Sequence, residues 1–254
     1  VEKVDYVIVT HVHLDHAGGA GQLMQALPNA RLVVHPRGAR HLIDPSKLVA
    51  GATAVYGEDH FKTLYGEIIP IPAERVIEAG DEYLIDLQGR PLVFVDTPGH
   101  ARHHFCIFDE RSSSFFTGDT FGISYREFDT QQGVFIFATT TPVQFEPLEL
   151  HNSINRLLSY HPNQMYLTHY GKVTEVPKLA DKLHDSIDQQ VTLVESWADS
   201  GDQRQPLLVG ALWQYVAGEI RQLGCTLPEK TCRELLAMDI ELNAQGLEVW
   251  WEKE

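Results

Sequence analysis

The feature that most constrains this chain is a short run of metal-competent side chains near its beginning. Residues 10–19 have the sequence Thr-His-Val-His-Leu-Asp-His-Ala-Gly-Gly and directly follow an apolar stretch. His11 and His13 are expected to share a face where the chain leaves a strand, because alternate residues point the same way. Asp15 and His16 then lie on the following turn. Imidazole together with carboxylate suits zinc, iron or manganese, so the run predicts a metal site.

Further candidate metal ligands, His and Asp residues, follow short apolar runs later in the chain. Runs of this kind, bounded by glycine and proline, are typical of strands. Loops that follow the strands of a rigid sheet can converge on one point. The candidates are His100, His169 and, between them, Asp119. We expect these three side chains to complete the metal site.

The run at residues 10–19 resembles the HxHxDH motif of the metallo-β-lactamase superfamily. Three later segments resemble the remaining ligand segments of that family, in the expected order: Thr97-Pro98-Gly99-His100, Thr117-Gly118-Asp119-Thr120 and Leu167-Thr168-His169-Tyr170-Gly171. The resemblance covers residue 1 to about residue 171. It is specific for the fold and the metal site but not for the substrate, because the family hosts many reactions.

The resemblance implies a centre of two divalent ions, zinc in the first place, with iron or manganese as alternatives. The implied ligands are His11, His13 and His100 for one ion, Asp15, His16 and His169 for the other, and Asp119 as the bridge.

The expected fold class is α/β, an αββα metallo-β-lactamase sandwich with a C-terminal helical appendage. Superfamily members normally have several strands before the first motif, which here begins at residue 11. The first sheet is therefore expected to be N-terminally incomplete, since it lacks some pairing partners. We expect residues 1–199 to form the metal-binding domain and residues 200–254 to form an appendage packed on it.

The C-terminal part of the sequence predicts three helices. Apolar residues recur at three- and four-residue steps from residue 177 to about 198 and again from 208 to 223. Thr226 and Glu229 have the spacing of a capping box, which predicts a third helix through Met238. These apolar stripes indicate core packing or dimer contacts, with cover for the active-site mouth as the alternative.

The remaining histidines are expected to be structural or exposed. His104 is expected to pack into the strand that follows it, and His103 to lie in solvent or at a pocket rim. For both, a role as an extra metal ligand or as a hydrogen-bond donor to a ligand is the alternative. His184 falls off the apolar stripe of its helix and is expected to be solvated.

The net charge and the cysteine content limit which binding partners and which cellular compartment are expected. The formal net charge is −15, and nucleases on this fold need Lys and Arg to neutralise phosphates, so nucleic acid is not expected as a partner. No apolar stretch has the length that a bilayer requires, so no membrane partner is expected. A small-molecule substrate is expected, and a homodimer is left open. Cys106 is expected to be buried, and Cys225 and Cys232 to be free thiols in a reducing compartment, which favours the cytoplasm.

The function that these features predict is a dinuclear metallo-hydrolase. The two ions lower the pKa of a bridging water, and the resulting hydroxide attacks a carbonyl carbon. Asp15 orients this nucleophile and passes its proton to the leaving group. A thioester or a lactone is the favoured substrate, by resemblance to glyoxalase II-like and lactonase-like members.

Two other classes of function stay open. The same ligand set can bind iron, as in diiron oxygen reductases and sulfur dioxygenases of the superfamily, although the oxygen reductases usually carry Glu where His13 stands. The chain could alternatively be a non-catalytic ligand-binding regulator on an enzyme scaffold, a reading that the complete ligand set disfavours.

Overall fold

The computed structural model describes residues 1–253, without the side chains of Val55, Tyr56 and Asp202. The chain falls into two compact units. The first comprises Val1–Asp96 and His103–Ile107, and the second comprises Thr97–Arg102 and the residues from Phe108 onward. The division into residues 1–199 and 200–254 stays a prediction.

The first unit contains a parallel sheet in the order β1-β2-β3, with its strands at Tyr6–Ile8, Arg31–Val34 and Val76–Glu78. Along β2, Leu32 and Val34 pack into one apolar cluster, whereas Val33 packs into another. Alternate residues of a strand point to opposite faces, so both faces of this sheet are buried, as is usual for parallel sheets.

The first unit also contains helices and an antiparallel hairpin. The helices are α1 (Leu14–Ala17), α2 (Ala20–Ala26), α3 (Pro36–Ile43), α4 (Ser46–Tyr56) and α5 (Glu58–Tyr65). Helices α2 and α3 contact the sheet. The hairpin consists of β4 (Tyr83–Asp86) and β5 (Pro91–Asp96), and β6 (Phe105–Asp109) begins in this unit. His35 caps α3, because its Nδ1 accepts the backbone N–H of Arg37 at 3.0 Å.

The second unit joins short strands to long helices. Strand β7 (Ser114–Phe116) pairs in parallel with β8 (Gln164–Leu167), which pairs antiparallel with β9 (Gly171–Val173). The helices are α6 (Pro147–Ser159), α7 (Val176–Ser196), α8 (Arg204–Gln222) and α9 (Glu229–Trp251).

The three predicted C-terminal helices are present and pack on one another. Their predicted apolar stripes are buried, for example at Leu183, Leu212 and Val216. The predicted capping box is wrong. Helix α9 begins at Glu229 with no side-chain cap, because its N-cap residue is Pro228, whose side chain has no acceptor, and Thr226 lies two residues before that position.

Buried polar side chains anchor α9 to the segment 138–140. The Oδ1 of Asn243 accepts the backbone N–H of Thr140 at 2.9 Å, and its amide nitrogen donates to the carbonyl of Ala138 at 3.1 Å. One turn further on, a Cβ added at Gly246 would lie 1.6 Å from the Thr140 carbonyl oxygen. The backbone of α9 at Gly246 therefore packs directly against the backbone of this segment.

Replacing Gly246 with alanine is expected to destabilise the protein by about 2–3 kcal/mol, because neither backbone can yield easily to the added methyl group. Gly218 provides the control, since it lies in α8 with open space at its Cβ position. Gly218→Ala should stabilise the protein by about 0.5–1 kcal/mol. Denaturant unfolding of both variants measures the difference. Equal stability of the two variants would contradict this packing of α9.

Cys106, Cys225 and Cys232, all within the described residues, form no disulfide, and Cys106 is buried, as the sequence predicted. Within the described part of the chain, no helix combines the length and the apolar character that a membrane span needs.

Candidate metal centre

The first unit gathers the residues of the HxHxDH run into a compact cluster. The His11 Nε2 lies 3.0 Å from the His13 Nδ1, and the ring centroids of His11 and His16 are 4.0 Å apart. The His16 Nε2 lies 3.2 Å from an Asp15 carboxylate oxygen. The side chain of His16 is only 3% exposed, whereas that of Asp15 is 48% exposed. Asp15 is therefore the member of the cluster that solvent reaches most easily.

The local backbone explains this clustering. Strand β1 ends just before the run, and His13 then caps the single turn of α1, with its carbonyl accepting the N–H of Ala17 at 2.8 Å. Leu14 anchors that turn in an apolar cluster with Phe61 and Ile68. Burial of Leu14 turns its neighbours Asp15 and His16 away from this cluster.

Two further histidines of the first unit lie beside this cluster. His104 is fully buried, as a packing role requires, and its ring lies 4.8 Å from that of His11. The expectation that His103 lies in solvent or at a rim is wrong, because its Nδ1 accepts the backbone N–H of Val12 and only 8% of the residue is exposed. Burial, with a smaller contribution from His13 and other neighbouring histidines, lowers the pKa of His103 to about 3.

The second unit places Asp119 between His100 and His169. One carboxylate oxygen, Oδ2, lies 3.4 Å from the His100 Nε2. The other oxygen, Oδ1, lies 3.7 Å from the His169 Nε2. His100 is fully buried and Asp119 is nearly so. Each oxygen of one carboxylate thus faces a different imidazole, and a carboxylate can use its two oxygens in this way to bridge two ions.

Helix α6 holds the loop that carries His100. The Ser153 hydroxyl donates to the Pro98 carbonyl at 2.6 Å, and the Glu146 N–H donates to the Gly99 carbonyl at 2.8 Å. Gly99 has a φ of 123°, and a Cβ there would lie 2.3 Å from the backbone nitrogen of Leu150. Only glycine combines this φ with so close an approach.

The backbone around His169 is held by the segment 124–126. The N–H of Ser124 donates to the His169 carbonyl at 3.3 Å, and the Arg126 Nε donates to the Tyr170 carbonyl at 3.0 Å. Tyr170 has a φ of 80°, which is strained for a residue with a bulky side chain. Such a conformation persists only where its surroundings hold it in place.

Beside this backbone, the Tyr125 hydroxyl donates a short hydrogen bond to the carboxylate of Asp239 on α9. Burial raises the pKa of Asp239, while the hydrogen bond from Tyr125 opposes that rise. Burial and the contact with Asp239 also raise the pKa of the Tyr125 phenol. Sequence reasoning missed Arg126 and Asp239. In the sequence, Asp239 is one of several charged residues of its helix, so no pattern singles it out.

His184, expected to be solvated, is only partly exposed. Its Nδ1 lies 2.6 Å from the Nδ1 of His151 on α6, and the Nε2 of His151 lies 3.1 Å from Asp188. Burial, and then the charge of His151, lower the pKa of His184, whereas Asp181, Asp185 and Asp188 oppose this shift. The pair joins helices α6 and α7.

This His184 pKa shift predicts a pH dependence of stability. Because its pKa is lower in the folded chain, the unfolded chain binds the proton first as the pH falls below the ordinary value of 6.5. Stability contributed by neutral His184 is therefore complete above pH 6.5 and decreases as the pH falls toward the lowered pKa. Replacing His184 with glutamine should flatten this decrease between about pH 7 and pH 5, measured by denaturant unfolding. The exposed His161 supplies the control variant His161→Asn, and equal slopes for both variants would contradict this assignment.

Comparison with known proteins identifies the family. A model of the metallo-beta-lactamase superfamily matches residues 1–169. The metallo-beta-lactamase fold-containing protein ST1585 of Sulfurisphaera tokodaii is 29% identical over 186 residues, which are 72% of this chain and 66% of that protein. A crystal structure of ST1585, given as from Sulfolobus tokodaii, matches with a TM-score of 0.65 and 26% identity, over 98% of this chain and 81% of that chain.

Two relatives whose names state an activity match over a smaller share of their own length. The hydroxyacylglutathione hydrolase of Ectopseudomonas mendocina is 24% identical over 200 residues, which are 77% of this chain and 59% of that protein. The atrochrysone carboxyl ACP thioesterase of Aspergillus fumigatus is 28% identical over 118 residues, which are 46% of this chain and 28% of that protein. The chain thus spans from about two thirds to little more than a quarter of the length of these curated relatives.

The chain belongs to the metallo-beta-lactamase superfamily. This confirms the resemblance that the motifs carry and the predicted α/β fold class with its C-terminal helical segment. The His and Asp side chains that cluster in the chain can hold divalent metal ions.

Proposed function

We propose that this protein is a metal-dependent hydrolase of thioesters or other small esters, in which two divalent ions would activate the attacking water. The observation that carries this proposal is the Asp119 carboxylate, whose two oxygens face two different imidazoles. One carboxylate that serves two ions is the central part of a two-metal hydrolytic site.

The assigned ligands are those that the motifs predict. They are His11, His13 and His100 for one ion, Asp15, His16 and His169 for the other, and Asp119 between them. The donor chemistry fits this assignment, because neutral imidazole nitrogens and carboxylate oxygens are the ligands that zinc takes in catalytic sites. Zinc is the proposed ion, with iron or manganese as the alternatives.

The bound ions would supply a strong nucleophile by lowering the pKa of water to near neutrality. The protein then has to orient that nucleophile and move its proton. Asp15 suits this role because its carboxylate is the most exposed member of the first-unit cluster and is within hydrogen-bonding distance of the buried His16. We assign Asp15 to orient the attacking water and to carry its proton to the leaving group.

The substrate class rests on the relatives. Two of them are named for thioester or acylglutathione hydrolysis, which supports a thioester ahead of a lactone. The net charge of −15 supports a small molecule ahead of a nucleic acid, because phosphate backbones bind to clustered cations.

The experiment is elemental analysis of the protein purified without added metal, followed by a panel of thioesters, lactones and simple esters. Two ions per chain and turnover of at least one thioester are expected. The hydrolase proposal would be wrong if none of these substrates is turned over and the iron-loaded protein consumes oxygen in an electrode assay. The redox function would then be favoured.

A further inference from the structure

Helix α9 brings a carboxylate to the metal-ligand segment from well beyond the residues that the superfamily model matches. That match ends at residue 169, whereas Asp239 lies in the middle of α9. Asp239 stands one helical turn before Asn243, so both side chains project from the same face of the helix. Asn243 fixes that face through its hydrogen bonds to Thr140 and Ala138. The position of Asp239 is therefore set by buried packing.

A chain of polar and ring contacts leads from Asp239 to the residue next to His169. The carboxylate of Asp239 accepts a hydrogen bond from the Tyr125 hydroxyl. The Tyr125 ring lies against the Tyr170 ring, with the centroids 4.6 Å apart. This chain of contacts thus holds the side chain of Tyr170.

A second set of contacts holds the backbone of Tyr170. Arg126 donates from Nε to the Tyr170 carbonyl at 3.0 Å. Its guanidinium is itself fixed by the Asp129 carboxylate and the Ser124 hydroxyl, each at 2.8 Å. The Tyr170 backbone at a φ of 80° is thus constrained through both its carbonyl and its side chain.

His169 needs such support, because burial alone does not fix its ring. Its side chain is 32% exposed, while that of Asp119 is 7% exposed. An exposed imidazole samples several rotamers unless its backbone and neighbours restrict it. Metal ligands in proteins generally depend on outer partners that fix their orientation.

We propose that Asp239 of α9 is a positioning residue for the metal centre, acting through Tyr125 and Tyr170 on the orientation of His169. This inference rests on the proposed role of His169 as a ligand. Its consequence is that the C-terminal helix is part of the machinery that sets metal affinity, in addition to its part in the core.

The test measures metal binding, with cobalt(II) as the probe. Asp239→Ala should weaken binding of one of the two ions by about tenfold or more, as loss of an outer partner typically does. Tyr125→Phe, which removes one oxygen, should give the same defect, and the double variant should be no worse than either single variant. Asp239→Asn keeps an acceptor for the Tyr125 hydroxyl and should recover most of the affinity. The readouts are competition with a chromophoric chelator and the visible absorption of bound cobalt.

Glu234→Ala is the matched control, because it removes an exposed carboxylate from the same helix. Parent-like cobalt affinity and absorption in both Asp239→Ala and Tyr125→Phe would overturn the inference. If Asp239→Ala fails to fold, Tyr125→Phe alone decides. His169→Ala separates this inference from the proposed function: retention of both ions in that variant would remove the ligand assignment, whereas loss of one ion there with normal binding in Tyr125→Phe would remove only the role of Asp239.

Discussion

Replacing Asp119 with alanine is expected to lower the metal content from two ions per chain to at most one. The carboxylate has one oxygen facing the His100 imidazole and the other facing that of His169, so its removal takes a ligand from both proposed ion sites at once. Hydrolytic activity should fall with the metal content, by about 10²–10³-fold or more, because loss of one electrostatic group at a reacting centre already costs that much. Elemental analysis and steady-state kinetics on the same preparation measure both effects.

Asp181→Ala is the control for this experiment, since it removes an exposed carboxylate from α7 in the same unit. This variant should keep two ions and the parent activity. Full metal content in Asp119→Ala would rule out the bridging role. A loss of both ions with a folded chain would agree with it, because the ions depend on each other through the shared ligand.

The superfamily, the strands and the clustering of the ligand candidates were all predictable from the sequence. His11 and His16 lie within a few residues of each other, so their proximity is a local property that backbone geometry alone dictates. His169 follows β8, and Asp119 follows β7, which pairs with β8, so these two also lie near each other as a consequence of strand pairing. Contacts that follow from local backbone geometry or from strand pairing can therefore be predicted from a motif with fixed order and spacing.

The differences between the sequence predictions and the structure concern contacts that no local pattern records. His103 is predicted near solvent, yet it is buried against the backbone of Val12, a residue of the same unit that is far from it in sequence. His184 was expected to be solvated because it lies off the apolar stripe of its helix, but helix α6 presents His151 to it. Both differences depend on which elements pack side by side, and periodicity along one helix does not specify the neighbour.

Asp239 shows the same limit for the candidate site. Its helix was predicted, but the helical pattern gives no register between Asp239 and Tyr125, which are joined by a hydrogen bond across more than a hundred residues. That register follows from the docking of Asn243 and Gly246 on the segment 138–140. Motifs identify the ligands directly, whereas the residues that orient the ligands emerge only from the packed fold.

The second large effect is expected at Asp15, where the carboxylate is proposed to act both as ligand and as proton carrier. Asp15→Asn preserves the shape and one oxygen but removes the charge and the basic site. The turnover number should therefore fall by about 10²–10⁴-fold, the range for loss of acid–base assistance. Ion content should decrease by no more than one, because the proposed ligands of the other ion are unchanged. Stopped assays with the best thioester of the panel, paired with elemental analysis, measure both quantities.

Asp59→Asn is the matched control for Asp15→Asn, because it makes the same chemical change at an exposed position of α5 in the same unit. It should leave turnover and ion content at the parent values. The two roles of Asp15 make different predictions for a variant that keeps both ions. If such a variant turns over at the parent rate, Asp15 is neither base nor orienting group, and the proton must leave through another residue. If turnover is lost while both ions remain, the carboxylate acts on the proton, and its exposure at 48% is what gives the attacking water access to it.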